Sequence, residues 1–146
     1  MKRFVYESVI PAPVADVFAF HERPDALALL TPPWERVEIV QPPTSLEVGV
    51  VVILRQRLGP IPLEIVAEHV AYEKNARFED VMRRGPFRRW HHRHLFFEHE
   101  DGCLLRDEID YALPIERIVD RLLVRPRLQR LFEHRHAVTR RVVLGA

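Results

Sequence analysis

Two alternating segments joined by a tight turn decide the fold: residues 88–114 read RRWHHRHLFFEHEDGCLLRDEIDYALP. Apolar and polar side chains alternate on both sides of Asp101-Gly102, a dipeptide that favours a two-residue β-turn. The stretch therefore predicts a β-hairpin with strands over 88–99 and 103–113. Pro114 ends the second strand, because proline has no backbone N–H to donate to the sheet.

Further strands follow from the same alternation on the N-terminal side of the hairpin. Short turn signals such as Lys74-Asn75 and Gly85-Pro86 separate them. The predicted strands cover 2–10, 35–41, 49–58, 62–73 and 76–84. Consecutive strands with short connections form an antiparallel meander.

Helical periodicity predicts the remaining elements. A short helix begins at Val14, and residues 25–30 form a second one that ends at the Thr-Pro-Pro of 31–33. After the sheet, 116–124 predicts a short amphipathic helix, and 127–143 predicts a longer one with Pro126 in its first turn. The last helix is the only long amphipathic element able to cover the apolar face of the meander. We therefore predict one α+β domain over 1–146, with a curved antiparallel sheet of about seven strands wrapped on the long C-terminal helix.

Composition excludes several classes of protein. The chain has 146 residues, which suits one domain, and its formal net charge of +1 argues against nucleic-acid binding. Its single cysteine, Cys103, cannot form an intrachain disulfide. The sequence has no run of about 18 apolar residues, so we predict no integral membrane association. The alternating N-terminus does not read as a signal peptide, so we expect a cytoplasmic protein.

Polar side chains lie on the face that the strands turn inward. Asp107 is the one polar residue on the apolar face of 103–113, and His92 and His94 share a face of 88–99. Pockets for small ligands combine apolar walls with a few polar groups. We predict that the following residues contact a ligand: His69, Phe78, Asp80, Met82, Trp90, His92, His94, Phe96, Asp107 and Tyr111. The alternative is that the histidines and aspartates only pair with one another.

The other histidines are predicted to be solvated or to carry surface charge. His91 and His99 lie on the opposite strand face, and His134 and His136 lie on the last helix among arginines.

The inward histidines are also possible metal ligands. His92 and His94 have a spacing that zinc can use, and His69 would join them if its strand turns the same face inward. Histidine pairs on strands are common, however, and a catalytic zinc needs three protein ligands and an open position. We predict no metal and no cofactor, because the sequence also has no glycine-rich phosphate loop, CxxC pair or nucleophile elbow.

Several segments together resemble the START-like helix-grip superfamily, and in particular its SRPBCC (polyketide cyclase/dehydrase-like) ligand-binding proteins. The segments that carry the resemblance are 17–21 with 30–34, 78–80, 85–87, 90–96, 105–114 and 132–136. The resemblance implies a cavity between the sheet and the C-terminal helix. It brings no agreed catalytic set, and His69 stands where this group is expected to have an aliphatic residue.

Three functions follow as alternatives. The first is binding or transport of a small hydrophobic or amphipathic molecule, such as a lipid, a quinone or a polyketide-like aromatic. The second is a cyclase, dehydratase or hydrolase in which His92 or His94 is the general base, oriented by Asp107 or Asp80, and Tyr111 donates to the enolate. The third is a structural or partner-binding domain with a filled core. Binding without catalysis is preferred, since no nucleophile is recognised, and exposed strand edges suggest a homodimer.

Overall fold

The computed structural model describes residues 1–114 and 120–145, and the core of this part of the chain is a sheet of seven antiparallel strands. The strands are β1 (Lys2–Ile10), β2 (Val37–Gln41), β3 (Val51–Leu58), β4 (Ile61–Glu73), β5 (Arg77–Arg84), β6 (Arg89–His99) and β7 (Gly102–Ala112). Their order across the sheet is β1-β7-β6-β5-β4-β3-β2. The predicted meander is confirmed, and β1 pairs with β7 and forms one edge of the sheet.

The predicted hairpin forms β6 and β7, with His99 opposite Gly102 at its turn. Gly102 has a φ of +133°, and a Cβ atom there would clash with the carbonyl oxygen of Ile10. Glycine is therefore required at this turn by the conformation and by the close approach of β1. The β4–β5 ladder shifts register twice, between Val66 and Ala67 and between His69 and Ala71. Such bulges bend a strand and increase its twist, which contributes to the curvature of the sheet.

The helices lie where the periodicity predicts them. The described elements are α1 (Val14–Glu22), α2 (Ala26–Leu30), a π-helical turn (Asp120–Val124) and α3 (Arg125–Val143). Pro126 lies in the first turn of α3, as predicted. The short helix predicted over 116–124 begins outside the described residues, and its described part is the π-helical turn. None of the described helices combines the length and the apolar character that crossing a membrane requires.

Two apolar clusters lie between the helices and the sheet, and a third joins the helices at Phe20, Leu30 and Val138. α3 packs against β1, α1 and α2, and α1 packs against β6 and β7. One cluster surrounds Phe18 of α1 and includes Phe96 and Leu105 of the sheet. The other surrounds Phe132 of α3 and includes Ile109. Leu105 and Ile109 are four residues apart on β7, so the two clusters contact adjacent parts of this strand.

Candidate functional site

A row of polar side chains crosses the concave face of the sheet between the two apolar clusters. Asp107 occupies the position on β7 between Leu105 of the first cluster and Ile109 of the second. Strands β1, β7, β6 and β5 contribute to the row, and α3 contributes one residue. We call this row the polar belt, and its members are Ser8, Asp80, His92, His94, Asp107 and His136.

Asp107 is the centre of the polar belt. Its carboxylate accepts hydrogen bonds from Nε2 of His92 at 2.7 Å and from Nε2 of His136 at 2.6 Å. Nδ1 of His94 lies 3.3 Å from the same oxygen that His92 contacts. Burial alone would raise the pKa of the Asp107 carboxyl, but the hydrogen bonds from His136, His92 and His94 hold that pKa well below its usual range.

His94 links Asp107 to a second carboxylate. Its Nε2 lies 3.0 Å from Oδ2 of Asp80, and its ring stacks on the His92 ring with centroids 3.6 Å apart. Burial lowers the pKa of His94, but hydrogen bonds to Asp107 and Asp80 outweigh it and the pKa is raised. Burial also opposes ionisation of Asp80, yet the hydrogen bond from His94 and the nearby imidazoles lower its pKa to about 2. Burial and the charge of His94 lower the pKa of His92, so the pKa values of the two stacked imidazoles shift in opposite directions.

The prediction that His136 is surface charge was wrong. It is only 4% exposed, donates from Nε2 to Asp107, and forms a hydrogen bond between Nδ1 and the hydroxyl of Ser8, 2.6 Å away. The spacing of residues along the helix indicates that His136 is buried. Leu128, Phe132 and His136 are four residues apart and so share one face of α3. His134, by contrast, lies half-buried with its ring against the edge of Trp34, and burial lowers its pKa.

Two buried polar atoms beside the belt have no hydrogen-bond partner within the described part of the chain. They are Nδ1 of His69 and Nε of Arg135. His69 is 5% exposed and lies opposite Asp80 in the β4–β5 register, so it does turn inward. Arg135 lies on α3 over the ring of Phe132, and burial lowers the pKa of its guanidinium while Asp107 and Asp80 oppose that effect. No pattern in the sequence indicated a role for Arg135.

The aromatic residues predicted to contact a ligand divide into two groups. Phe78 and Phe96 are buried against Phe18, and Phe78 also stacks on His94 with centroids 3.9 Å apart. Tyr111 is fully buried and its hydroxyl donates to Asp120, so this hydroxyl is occupied. Trp90 and Met82 are half-buried and keep accessible surface.

The other half of the concave face is less covered. Val52 of β3 is buried there, but most of the inward apolar residues of β2, β3 and β4 are only half-buried, whereas those of β7 are buried. The half-buried residues are Val37, Ile39, Leu54, Leu63, Ile65 and Ala67. Glu35 borders this region, because it bonds both Gln56 of β3 and Arg127 of α3. A separate hollow of about 580 Å³ runs along residues 41–51, and no member of the polar belt lines it.

These features define a class of protein: a helix-grip, START-like scaffold whose sheet and C-terminal helix enclose a polar belt between apolar walls. The chain belongs to the family described as "Polyketide cyclase / dehydrase and lipid transport", whose model matches residues 10–135. A search of curated proteins found no match.

Solved structures confirm the fold. The protein TTHA0849 from Thermus thermophilus is similar with a TM-score of 0.75 at 18% identity, over 99% of this chain and 98% of that one. Zhui aromatase/cyclase from Streptomyces sp. R1128 is similar with a TM-score of 0.65 at 13% identity, over 99% and 92%. A nucleoside-diphosphate sugar epimerase from Corynebacterium glutamicum gives a TM-score of 0.76 at 25% identity. That match covers 94% of this chain but 28% of the epimerase, so the likeness concerns one part of a larger protein.

Proposed function

We propose that the protein binds a small amphipathic molecule, such as a lipid, a quinone or a polyketide-like aromatic, between the sheet and α3. The observation that supports this proposal is the pair of unpartnered buried atoms, Nδ1 of His69 and Nε of Arg135. A buried polar group without a partner costs about 1–3 kcal/mol, and two such groups beside one polar belt indicate a missing polar partner. A ligand oxygen would supply that partner.

The two ends of such a ligand would meet different surfaces. Its polar end would lie near Arg135 and His69, where a positive guanidinium favours an oxygen acceptor. Its apolar body would lie on the half-buried side chains of β2, β3 and β4, for example Leu54 and Ile65. Small-ligand sites combine these same features, apolar walls and a few convergent polar groups.

The test uses the amphipathic probe 1-anilinonaphthalene-8-sulfonate, whose fluorescence rises in an apolar site. We expect saturable binding to the wild-type chain, displacement by dodecanoate, and clearly weaker binding to Arg135→Met. Arg141→Met is the matched control, because Arg141 is exposed on the same helix. Native mass spectrometry of the gently purified protein would look for a co-purified ligand.

The absence of saturable probe binding to a cooperatively folded wild-type protein would refute the proposal. Equal binding by Arg135→Met and Arg141→Met would refute the assignment of the polar end.

A second candidate function is proton abstraction from an acidic C–H of a polyketide-like substrate. The hydrogen bond from His92 to Asp107 supports it, because a carboxylate that orients a neutral imidazole is the arrangement of a general base. Deuterium exchange at the central carbon of acetylacetone, followed by NMR, would test it. This function requires an exchange rate above the buffer background. The rate should fall in His92→Gln but not in His91→Gln, a control that changes the outer face of the same strand.

A further inference from the structure

Three side chains of the polar belt converge from two neighbouring strands. One nitrogen or oxygen atom from each of Asp80, His92 and His94 lies within 4.8 Å of the other two. The imidazoles come from alternate positions of β6, and Asp80 pairs with His92 in the register of β5 and β6. The sequence alone places two histidines at a spacing that zinc can use, but it does not assure a third ligand. The fold supplies that ligand as a carboxylate from the next strand.

Asp107 faces one nitrogen of each imidazole. Its Oδ1 lies 2.7 Å from Nε2 of His92 and 3.3 Å from Nδ1 of His94. The remaining nitrogens, Nδ1 of His92 and Nε2 of His94, face Oδ2 of Asp80 at 3.9 and 3.0 Å. A carboxylate behind a metal-binding imidazole fixes its tautomer and raises its basicity. Asp107 is placed to do this for both rings.

We propose that Asp80, His92 and His94 bind a divalent first-row transition metal ion such as zinc. Neutral imidazole nitrogens and a carboxylate oxygen are ligands that this class of ion accepts. Three protein ligands leave a fourth coordination position open for water or a ligand atom.

His69 is an independent indication of the same site. It is buried, it lies opposite Asp80 in the β4–β5 register, and its Nδ1 has no partner within the described residues. We assign this nitrogen to a hydrogen bond with the water or ligand atom on the open position of the ion.

The experiment loads the tag-free full-length chain with cobalt after treatment with a chelator. Cobalt replaces zinc in such sites and reports a nitrogen- and oxygen-ligated environment by its visible absorption. We expect one equivalent of Co²⁺ per chain, displaced by Zn²⁺, and the same stoichiometry by elemental analysis after desalting. Asp80→Asn and His94→Gln should each weaken cobalt binding by more than about 10-fold, and Asp107→Asn by about 10–100-fold.

His91→Gln is the matched control, because His91 neighbours His92 on the outer face and bonds Glu79 instead. This variant should bind cobalt as the wild type does. Circular dichroism of each variant separates loss of the site from loss of the fold, and Asp80→Asn keeps the test decisive if the other variants unfold. The proposal is overturned if the wild type binds no stoichiometric cobalt, or if folded Asp80→Asn binds it as tightly as His91→Gln. The titration contains no organic ligand, so its outcome is separate from that of the proposed ligand binding.

Discussion

Replacing Asp107 by asparagine is the sharpest test of the polar belt. The change keeps the shape of the side chain and removes its charge. Asp107 accepts two short hydrogen bonds, at 2.7 Å from His92 and at 2.6 Å from His136, and it is 5% exposed. An asparagine retains one acceptor oxygen, but its NH₂ group must then face an imidazole N–H.

The expected loss of stability follows from these contacts. Hydrogen bonds to a charged group are worth about 1.5–3 kcal/mol each, and breaking a buried ion pair by removing one partner costs about 3–5 kcal/mol. We therefore expect Asp107→Asn to lower the free energy of unfolding by about 3–5 kcal/mol. That is a large part of the about 5–15 kcal/mol typical of a domain, and it should lower the Tm by roughly 10–16 °C.

Urea unfolding at neutral pH, followed by circular dichroism, measures this loss. The matched control is Asp25→Asn, because Asp25 pairs with Arg23 on the exposed surface and should hardly change the midpoint. A double-mutant cycle with His136→Gln adds a second measurement. The two changes should be non-additive by about 1–3 kcal/mol, since the residues share a hydrogen bond. A loss below about 1 kcal/mol for Asp107→Asn, or strict additivity with His136→Gln, would refute the hydrogen-bonding scheme of the belt.

Other predictions concern the apolar clusters and the hairpin turn. Phe18→Ala should cost about 3–5 kcal/mol in urea unfolding, because Phe18 is fully buried against Phe96, and a loss under about 1 kcal/mol would contradict that packing. Burial raises the pKa of the Cys103 thiol to about 11, so at pH 8 the thiol should react with Ellman's reagent only as the protein unfolds, and rapid reaction of the folded chain would be inconsistent with its burial. Gly102→Ala should be strongly destabilising, because the added methyl meets the carbonyl oxygen of Ile10, and a wild-type Tm would contradict the described turn.

Most of the fold could be predicted from local patterns. Strands with one buried face show a period of two, and the burial of β7 alternates residue by residue along its whole length. The limits of the strands were predicted less closely. Predicted strands began at residues 35 and 49, but β2 begins at Val37 and β3 at Val51, because pairing between strands sets the limits and is not visible in one strand alone.

The members of the polar belt that lie on β5, β6 and β7 were predicted from the sequence, whereas the member on α3 was not. His92, His94, Asp80 and Asp107 lie on strands whose inward faces can be read from alternation. His136 comes from α3, and its contact with Asp107 depends on how the helix lies across the sheet. The arginines around His136 suggested a solvated surface. The helical spacing from Phe132 would have corrected that interpretation, because it places His136 on the apolar stripe.

The composition of the belt argues for a role beyond stability. Replacing a buried network of charges by apolar side chains of similar volume is often neutral or stabilising, whereas removing one member of such a network is costly. A sheet that needed only a core could therefore carry aliphatic residues at the positions of His92, His94 and Asp107, as β7 does at Leu105 and Ile109 on either side of Asp107. The belt instead interrupts the two apolar clusters and leaves a histidine and an arginine beside it whose nitrogens have no partner within the described residues. Selection for packing alone does not account for these orphaned atoms, whereas the proposed bound group would supply their partners.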